Sequence, residues 1–353
     1  MIPGAELHLI APAMGHHAGP SGYHRLADFM PGERVDSVTF GTLGRVLARL
    51  GRRWIRTSDS QWYERDSLLA EMEVARRWLT GRGRLFHFLY GENSYRYAGT
   101  LKRWRRDNTL IATFHTPAWR TLEVVRNQSH LDSLDAVIVM SNSQLEHFSQ
   151  HVGADRVHFV PHGIDTVFFS PGEHEREPDR FRFVTVGHHL RDFETLALVA
   201  NNLAHSHPQV EFVVVAWPDR VGPLEGLSNV QCRTNLSDAE LLHLYRSSDC
   251  LMLPLRDATA NNALLEAMAC GLPVFSTDIQ GVRDYTRADS SRLVAVRDSD
   301  ALTDATLDAV EGRLDLAAMG AASRAQAETL AWPGIAARTQ TVYESVWPVR
   351  RSR

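Results

Sequence analysis

Short apolar runs punctuate this chain at intervals, and the stretches between them are polar or carry a helical period. The first run, residues 7–12, leads into a glycine-containing turn over 15–22 and a helix-like stretch from Tyr23, which predicts a strand, a loop and a helix. Further runs at 85–89, 110–114, 136–140 and 157–160 repeat the alternation. Strands that alternate with helical segments imply βαβ units on a parallel sheet, because parallel neighbours need a long crossover between them.

The period breaks at FVPHGIDTVFFSPGEHEREPDRF, where Pro161, Gly163, Pro171, Gly172 and Pro178 sit among charges. It then restarts, with runs at 181–186, 211–216, 250–253 and 274–276. Ahead of the third of these, Ser237 is followed three residues on by Glu240, a capping-box spacing that predicts a helix start. Two α/β domains are expected, each with its own parallel sheet, and 353 residues suffice for two cores.

Composition narrows the function classes without naming one. With 44% hydrophobic and 23% charged residues, the chain reads as a globular enzyme rather than a disordered or fibrous protein. Cys232, Cys250 and Cys270 are far apart, with neither metal-ligand nor disulfide spacing, which points to a reducing cytoplasm. No apolar run approaches the roughly 20 residues of a membrane span, and the first residues do not read as an export signal.

A net charge of −4 argues against nucleic acid as a partner, but the charge is uneven. Arg45, Arg49, Arg52, Arg53 and Arg56 alternate with Leu43, Val46, Leu47, Leu50, Trp54 and Ile55, and a second basic cluster holds Arg96, Lys102, Arg103, Arg105 and Arg106. Two readings stay open, solvated helix faces or a surface for an anionic membrane.

The stretch LMLPLRDATANNALLEAMACGLPVFSTDIQGVRDY, residues 251–285, carries the most chemistry. It reads as strand, loop, helix, turn, strand. A loop over 256–262 precedes a helix over 263–269, whose unpaired N–H groups favour an anionic or hydroxyl ligand, and Gly271 stops that helix. Glu266 lies inside it among Leu264, Leu265, Ala267 and Met268, where a carboxylate needs a partner. A ribose diol would supply two donors.

On LLEAMACGLPVFST the stretch resembles the donor-binding segment of glycosyltransferase family 4, of the retaining GT-B type. Three further segments agree in order: FVPHGIDTVFFSPG resembles the family's interdomain linker, FVTVGHHLRDFETL its first C-terminal strand and phosphate-binding turn, and LAWPGIAARTQTVYESV its closing helix. The resemblance implies an α/β fold of two Rossmann-like parallel-sheet domains facing a cleft. It also implies the division: 1–165 an acceptor-side domain, 172–335 a nucleotide-sugar donor domain, and 336–353 a closing helix crossing back to the N-terminal domain.

Site roles follow by the same resemblance. Glu266 matches the glutamate that hydrogen-bonds the ribose, and Arg191 falls near the basic residue that holds the donor diphosphate; a surface ion pair of Arg191 with Asp192 or Glu194 is the plainer alternative. Gly187 opens the phosphate-binding turn, and His188 stands where the family has an arginine, so it and His189 would assist phosphates only if protonated. The family has a second glutamate eight positions before Glu266, but here that position is Ala258. Asp257 beside it takes over the sugar contact, or the loop's backbone with Asn261 and Asn262 makes it alone; Ala263 and Leu264 at the helix start are further donor-binding candidates. Gly19, Ser21 and Gly22 form a glycine-bearing turn that could approach the diphosphate. His115 ends the apolar run 110–114 and resembles the family's active-site histidine near the reacting sugar, with a structural histidine as the alternative.

The expected function is retaining transfer of a sugar from a nucleotide-diphosphate sugar to a glycan, lipid-linked or small-molecule acceptor, in the cytoplasm or at the inner membrane face. No cofactor and no metal are expected. Asp298-Ser299-Asp300 has the D-x-D form of a cation site, but a helix N-cap at Asp298 or Asp300 explains it. Rival readings are a degenerate transferase acting as a binding or scaffold subunit, a nucleotide-sugar epimerase, or a phosphorylase, for which the single lysine, Lys102, lies far from the donor segment. An NAD-dependent enzyme is disfavoured because no G-x-G-x-x-G opens a helix.

Overall fold

The computed structural model describes residues 6–11, 19–35, 51–172 and 179–347. They form two compact units. The first holds the described residues of Met1–His17, Tyr23–His162 and Trp332–Arg353; the second holds those of Ala18–Gly22 and Gly163–Ala331.

The first unit is a six-stranded parallel sheet of β1 (Glu6–Ile10), β2 (Glu33–Val35), β3 (Arg84–Phe88), β4 (Thr109–Phe114), β5 (Ala136–Val139) and β6 (Val157–Phe159), in the order β2-β1-β3-β4-β5-β6. All six residues of β4 are buried, as expected where helices cover both faces of a parallel sheet. Phe86, Phe88, Leu110, Phe114 and Val137 pack with Trp78 of the helix Arg65–Thr80 into one apolar cluster. The helix Trp332–Val346 belongs to this unit. Its Tyr343 hydroxyl lies 2.6 Å from His87 Nδ1, and Trp332 packs against the rings of Tyr23 and His162. It starts at Trp332, ahead of the expected 336, because Pro333 in its first turn has no N–H to leave unpaired.

The second unit repeats the plan with β7 (Phe181–Val186), β8 (Val210–Val215), β9 (Val230–Arg233), β10 (Cys250–Leu253), β11 (Val274–Thr277) and β12 (Ser291–Val294). The order is β12-β11-β10-β7-β8-β9, with every pair parallel. From β7 the chain winds outward through β8 and β9, then returns to β10 on the other side. The switch therefore falls between β7 and β10, and the loops at the carboxyl ends of those two strands flank the crevice such sheets use for ligands. The capping box forms as expected: Ser237 Oγ accepts from Glu240 N–H and Glu240 Oε2 accepts from Ser237 N–H at 2.8 Å. Asp298, rather than Asp300, caps the helix Ser299–Val310, accepting from Ala301 N–H at 2.9 Å.

Candidate functional site

The two switch-point loops of the second unit are laced together. Arg191 N–H bonds back to His188, Asp192 N–H donates to Pro254 O at 2.9 Å and Arg256 N–H donates to Leu190 O at 2.9 Å. This needs a sharp reversal after β7, and Gly187 makes it at φ +85°. A Cβ there would lie 2.8 Å from Arg191 Nη2, so glycine serves both the turn and the room for the guanidinium.

Arg191 folds over that turn. Nε and Nη2 donate to Val186 O at 3.0 and 2.6 Å, Nη1 donates to His189 O at 3.0 Å and Nη2 reaches Asn261 Oδ1 at 3.2 Å. Burial lowers its pKa to about 10, still cationic at neutral pH, while Tyr245 and Glu266 act to raise it. The surface ion pairs considered for Arg191 belong to Arg256 instead, which faces Asp192 at 3.9 Å and Glu194 at 3.3 Å.

Asn261 caps the helix Asn262–Ala269, its Oδ1 accepting from Leu264 N–H at 3.3 Å. Among the described residues the N–H groups of Asn262 and Ala263 have no acceptor, and with Arg191 beside them they make an electropositive corner. Inside this helix Glu266 is 3% exposed. Its Oε2 accepts from the Tyr245 hydroxyl at 2.8 Å. Burial raises the carboxyl pKa, against the pull of the Ser21 hydroxyl, Tyr245 and Arg191. Ser21 is itself buried.

Arg191, Asn261, Glu266 and the 262–264 backbone are thus brought together, with Ser21 beside Glu266. Gly22 sits next to Ser21 in the Ala18–Gly22 segment of this unit. Other expected residues do something else. His188 stacks on Trp217 with centroids 4.1 Å apart, and burial with the charges of Arg220 and Arg191 lowers its pKa, so it is neutral at pH 7 and offers phosphate no cation. Asp257 Oδ1 accepts from Ala258 N–H at 2.8 Å, a local turn contact. Ala258 is 7% exposed, and a Cβ on Gly281 would stand 2.0 Å from its carbonyl oxygen, so the loop lies directly on that glycine. Tyr245, on the helix Asp238–Arg246, was not foreseen, because a tyrosine beside Leu244 in the last turn of an amphipathic helix reads as core.

His115 belongs to the first unit and follows β4 as expected. Its N–H donates to Glu92 Oε1 at 2.8 Å; its ring stacks on Tyr90 and meets Tyr23 edge-on, with centroids 4.9 and 4.8 Å away. Of the basic clusters, residues 41–50, with Arg45 and Arg49, lie outside the described residues. Arg96 donates to Asn127 O at 2.5 Å, Lys102 pairs with Asp135 at 2.6 Å and Arg105 donates to Gly81 O, which leaves Arg52, Arg53, Arg56, Arg103 and Arg106 exposed beside Trp54 and Trp104. One group of three metal-ligand types occurs among the described residues, Glu6, His8 and Glu33, but Arg77 and Arg84 already bond to it, making an ion-pair network. No described helix is long and apolar enough to cross a membrane.

Residues 180–311 match a family model described as Glycosyl transferases group 1, and they contain every second-unit residue of the corner just described except Ser21 and Gly22. A curated relative, the MMP alpha-(1->4)-mannosyltransferase of Mycolicibacterium hassiacum, is 29% identical over 210 residues, 55% of this chain and 49% of the relative. The chain therefore spans about half the length of that relative. Among solved structures, sucrose-phosphate synthase from Thermosynechococcus elongatus superposes with TM-score 0.68 at 17% identity, over 97% of this chain and 99% of the other. Anabaena Alr3699/HepE, solved in complex with UDP and glucose, gives 0.62 at 15% identity, over 98% and 100%. The chain shares the GT-B fold of these structures, and its residues 180–311 match the group 1 glycosyl transferase model.

Proposed function

We propose that the chain is a retaining glycosyltransferase of family 4 that moves a sugar from a nucleoside-diphosphate donor to a glycan, lipid-linked or small-molecule acceptor. The observation that carries this reading is the corner at the β7/β10 switch. There a buried carboxylate, Glu266, lies in the same helix as two acceptor-free N–H groups, with the Arg191 guanidinium at its N-cap. Glu266 accepts the ribose hydroxyls, and Arg191 with the N–H groups of Asn262 and Ala263 meets the diphosphate, where charge grows as the glycosidic bond breaks. The mannosyl relative and the UDP- and glucose-bound neighbour support a nucleotide-sugar donor. In the first unit His115 addresses the reacting sugar. The leaving diphosphate takes the acceptor proton on the same face, so the protein supplies orientation and charge rather than a strong base.

The diphosphate charge is met by these groups without a cation, and Asp298 is already committed to a helix cap. A thermal-shift series with UDP, GDP, ADP and dTDP tests the donor. The right nucleotide at 100 times its dissociation constant adds about 2.7 kcal/mol. Turnover of the matching nucleotide-sugar should persist in EDTA; no stabilisation by any of the four, or turnover that EDTA abolishes and Mg²⁺ restores, defeats the donor reading or the metal-free one respectively.

The exposed Trp54 and Trp104 with Arg53, Arg56, Arg103 and Arg106 support peripheral attachment to an anionic membrane, at its inner face. Sedimentation with anionic vesicles should be lost at high salt, and its absence at low salt removes the membrane from the account.

A further inference from the structure

The first sheet has its own switch point. From β1 the chain goes to β2 on one side and later to β3, β4, β5 and β6 on the other, so the switch falls between β1 and β3. Four residues past the end of β3 comes Glu92, and one past the end of the adjoining β4 comes His115. Both stand at carboxyl ends of neighbouring parallel strands, at and beside the switch.

Glu92 is 3% exposed. Its Oε1 accepts the His115 N–H at 2.8 Å, and its Oε2, with no hydrogen-bond partner among the described residues, faces His115 Nδ1 at 3.7 Å. A buried carboxylate oxygen left short of partners is costly, and stability alone gives no reason to keep it. Tyr90, two residues before Glu92, stacks on the same imidazole, while Tyr23 closes its edge. One carboxylate therefore grips the His115 backbone and addresses its ring, and two aromatic rings limit where that ring can turn.

We propose that Glu92 is a positioning residue that orients His115 for the transfer reaction, an inference that rests on the reading of His115 as the active-site histidine. The Glu92 charge, 3.7 Å from Nδ1, favours the tautomer protonated at that nitrogen, since the partner of one ring nitrogen sets the state of the other. With the ring held, His115 is in place before the donor arrives, and no ordering is left to the reaction step.

Glu92→Gln tests this in the full chain, because the amide oxygen still accepts the His115 N–H while the charge is lost. Release of UDP from UDP-glucose and of GDP from GDP-mannose is compared among wild type, Glu92→Gln, His115→Ala and the double variant. Glu92→Gln is expected to lower kcat by about 100-fold, the scale of a misplaced catalytic group, with KM for the donor within about twofold. In the His115→Ala background the same substitution should add nothing. Normal turnover in Glu92→Gln alongside a crippled His115→Ala overturns the inference, as do additive losses in the double variant. Normal turnover in His115→Ala overturns instead the reading of His115. Tautomers read without turnover: in long-range ¹H–¹⁵N spectra, with His115→Ala for assignment, His115 should carry its proton on Nδ1 in wild type and lose that preference in Glu92→Gln. A proton on Nε2 in wild type refutes the proposal.

Discussion

Burial raises the pKa of the Glu266 carboxyl, although the Tyr245 hydroxyl donates to it and favours the ionised form. The sign of the linkage follows. Below the unfolded value of about 4.3 both states hold the proton and the group has no effect. As pH rises through the window up to the raised folded value, the unfolded chain ionises first, so stability falls and stays lower above it. Glu266→Gln should therefore raise the melting temperature of the second unit at pH 7, by roughly 2–4 °C for each kcal/mol gained, and the difference should close near pH 4. The same change should weaken nucleotide binding by about 1.5–3 kcal/mol, because an amide accepts ribose hydroxyls less strongly than a carboxylate. Calorimetry with the stabilising nucleotide decides it; unchanged affinity in the glutamine variant removes Glu266 from the site. A carboxylate that is worse for the fold than its amide is a common mark of a functional position.

Strands read from the sequence are those with neighbours on both sides, plus the edge strand β6. β7 and β10 were read to the residue, whereas β2, β9 and β12 were not read at all. All three lie at sheet edges and carry at most one buried residue, in ERV, VQCR and SRLV. An edge strand needs little apolar surface and tolerates charge, so its pattern fades. In the corner, a helix start after an apolar strand is a local signal that singled out Glu266 and Asn261, whereas Arg191 was singled out by the family resemblance. Tyr245 was not, since its partner is 21 residues away. Glu92 was legible in principle, because the strand-end logic that selects His115 also selects the first carboxylate after β3. The 256–262 loop carries a further constraint that no local pattern shows: Gly281, in the short helix Gln280–Arg283, lies against the carbonyls of Ala258 and Thr259. A methyl at Gly281 would sit 2.0 and 2.7 Å from those oxygens, so Gly281→Ala must push the loop away. Overpacking of this kind costs about 1–3 kcal/mol. Binding of UDP-glucose should fall by at least about tenfold, equivalent to about 1.4 kcal/mol, with UDP affected less, since the loop is assigned to the sugar. Equal losses for both ligands would place the loop's role elsewhere.

At the scale of the whole molecule the chain leaves its first unit at His162, builds the second, and returns at Trp332. The return makes the last described helix part of a core whose strands lie far earlier in sequence: Ile335 is fully buried, Trp332 and Tyr343 nearly so, and the Tyr343 hydroxyl meets His87 of β3, 256 residues away. His87 depends on that partner. Burial lowers its pKa to about 3, so it stays neutral and its two ring nitrogens are satisfied by Tyr343 and by Thr113 at 2.7 Å. Cutting the chain after Ala331 removes Tyr343 and opens a cavity where two large aromatic side chains had been. At about 3–5 kcal/mol for each such residue, the loss is comparable with the whole stability of a domain, and the first unit should fail to fold cooperatively. The second unit keeps its own six-stranded sheet and most of the nucleotide corner, since of those residues only Ser21 and Gly22 come from outside 163–331. Calorimetric melting of the shortened chain should therefore show one transition, still raised by the nucleotide that stabilises the full chain, while transfer is abolished. Two transitions after truncation would mean that the last helix is dispensable for the first core. Loss of the nucleotide response with the second transition intact would mean that residues of the first unit hold the donor, and the assignment of donor binding to Arg191, Asn261 and Glu266 would have to be withdrawn.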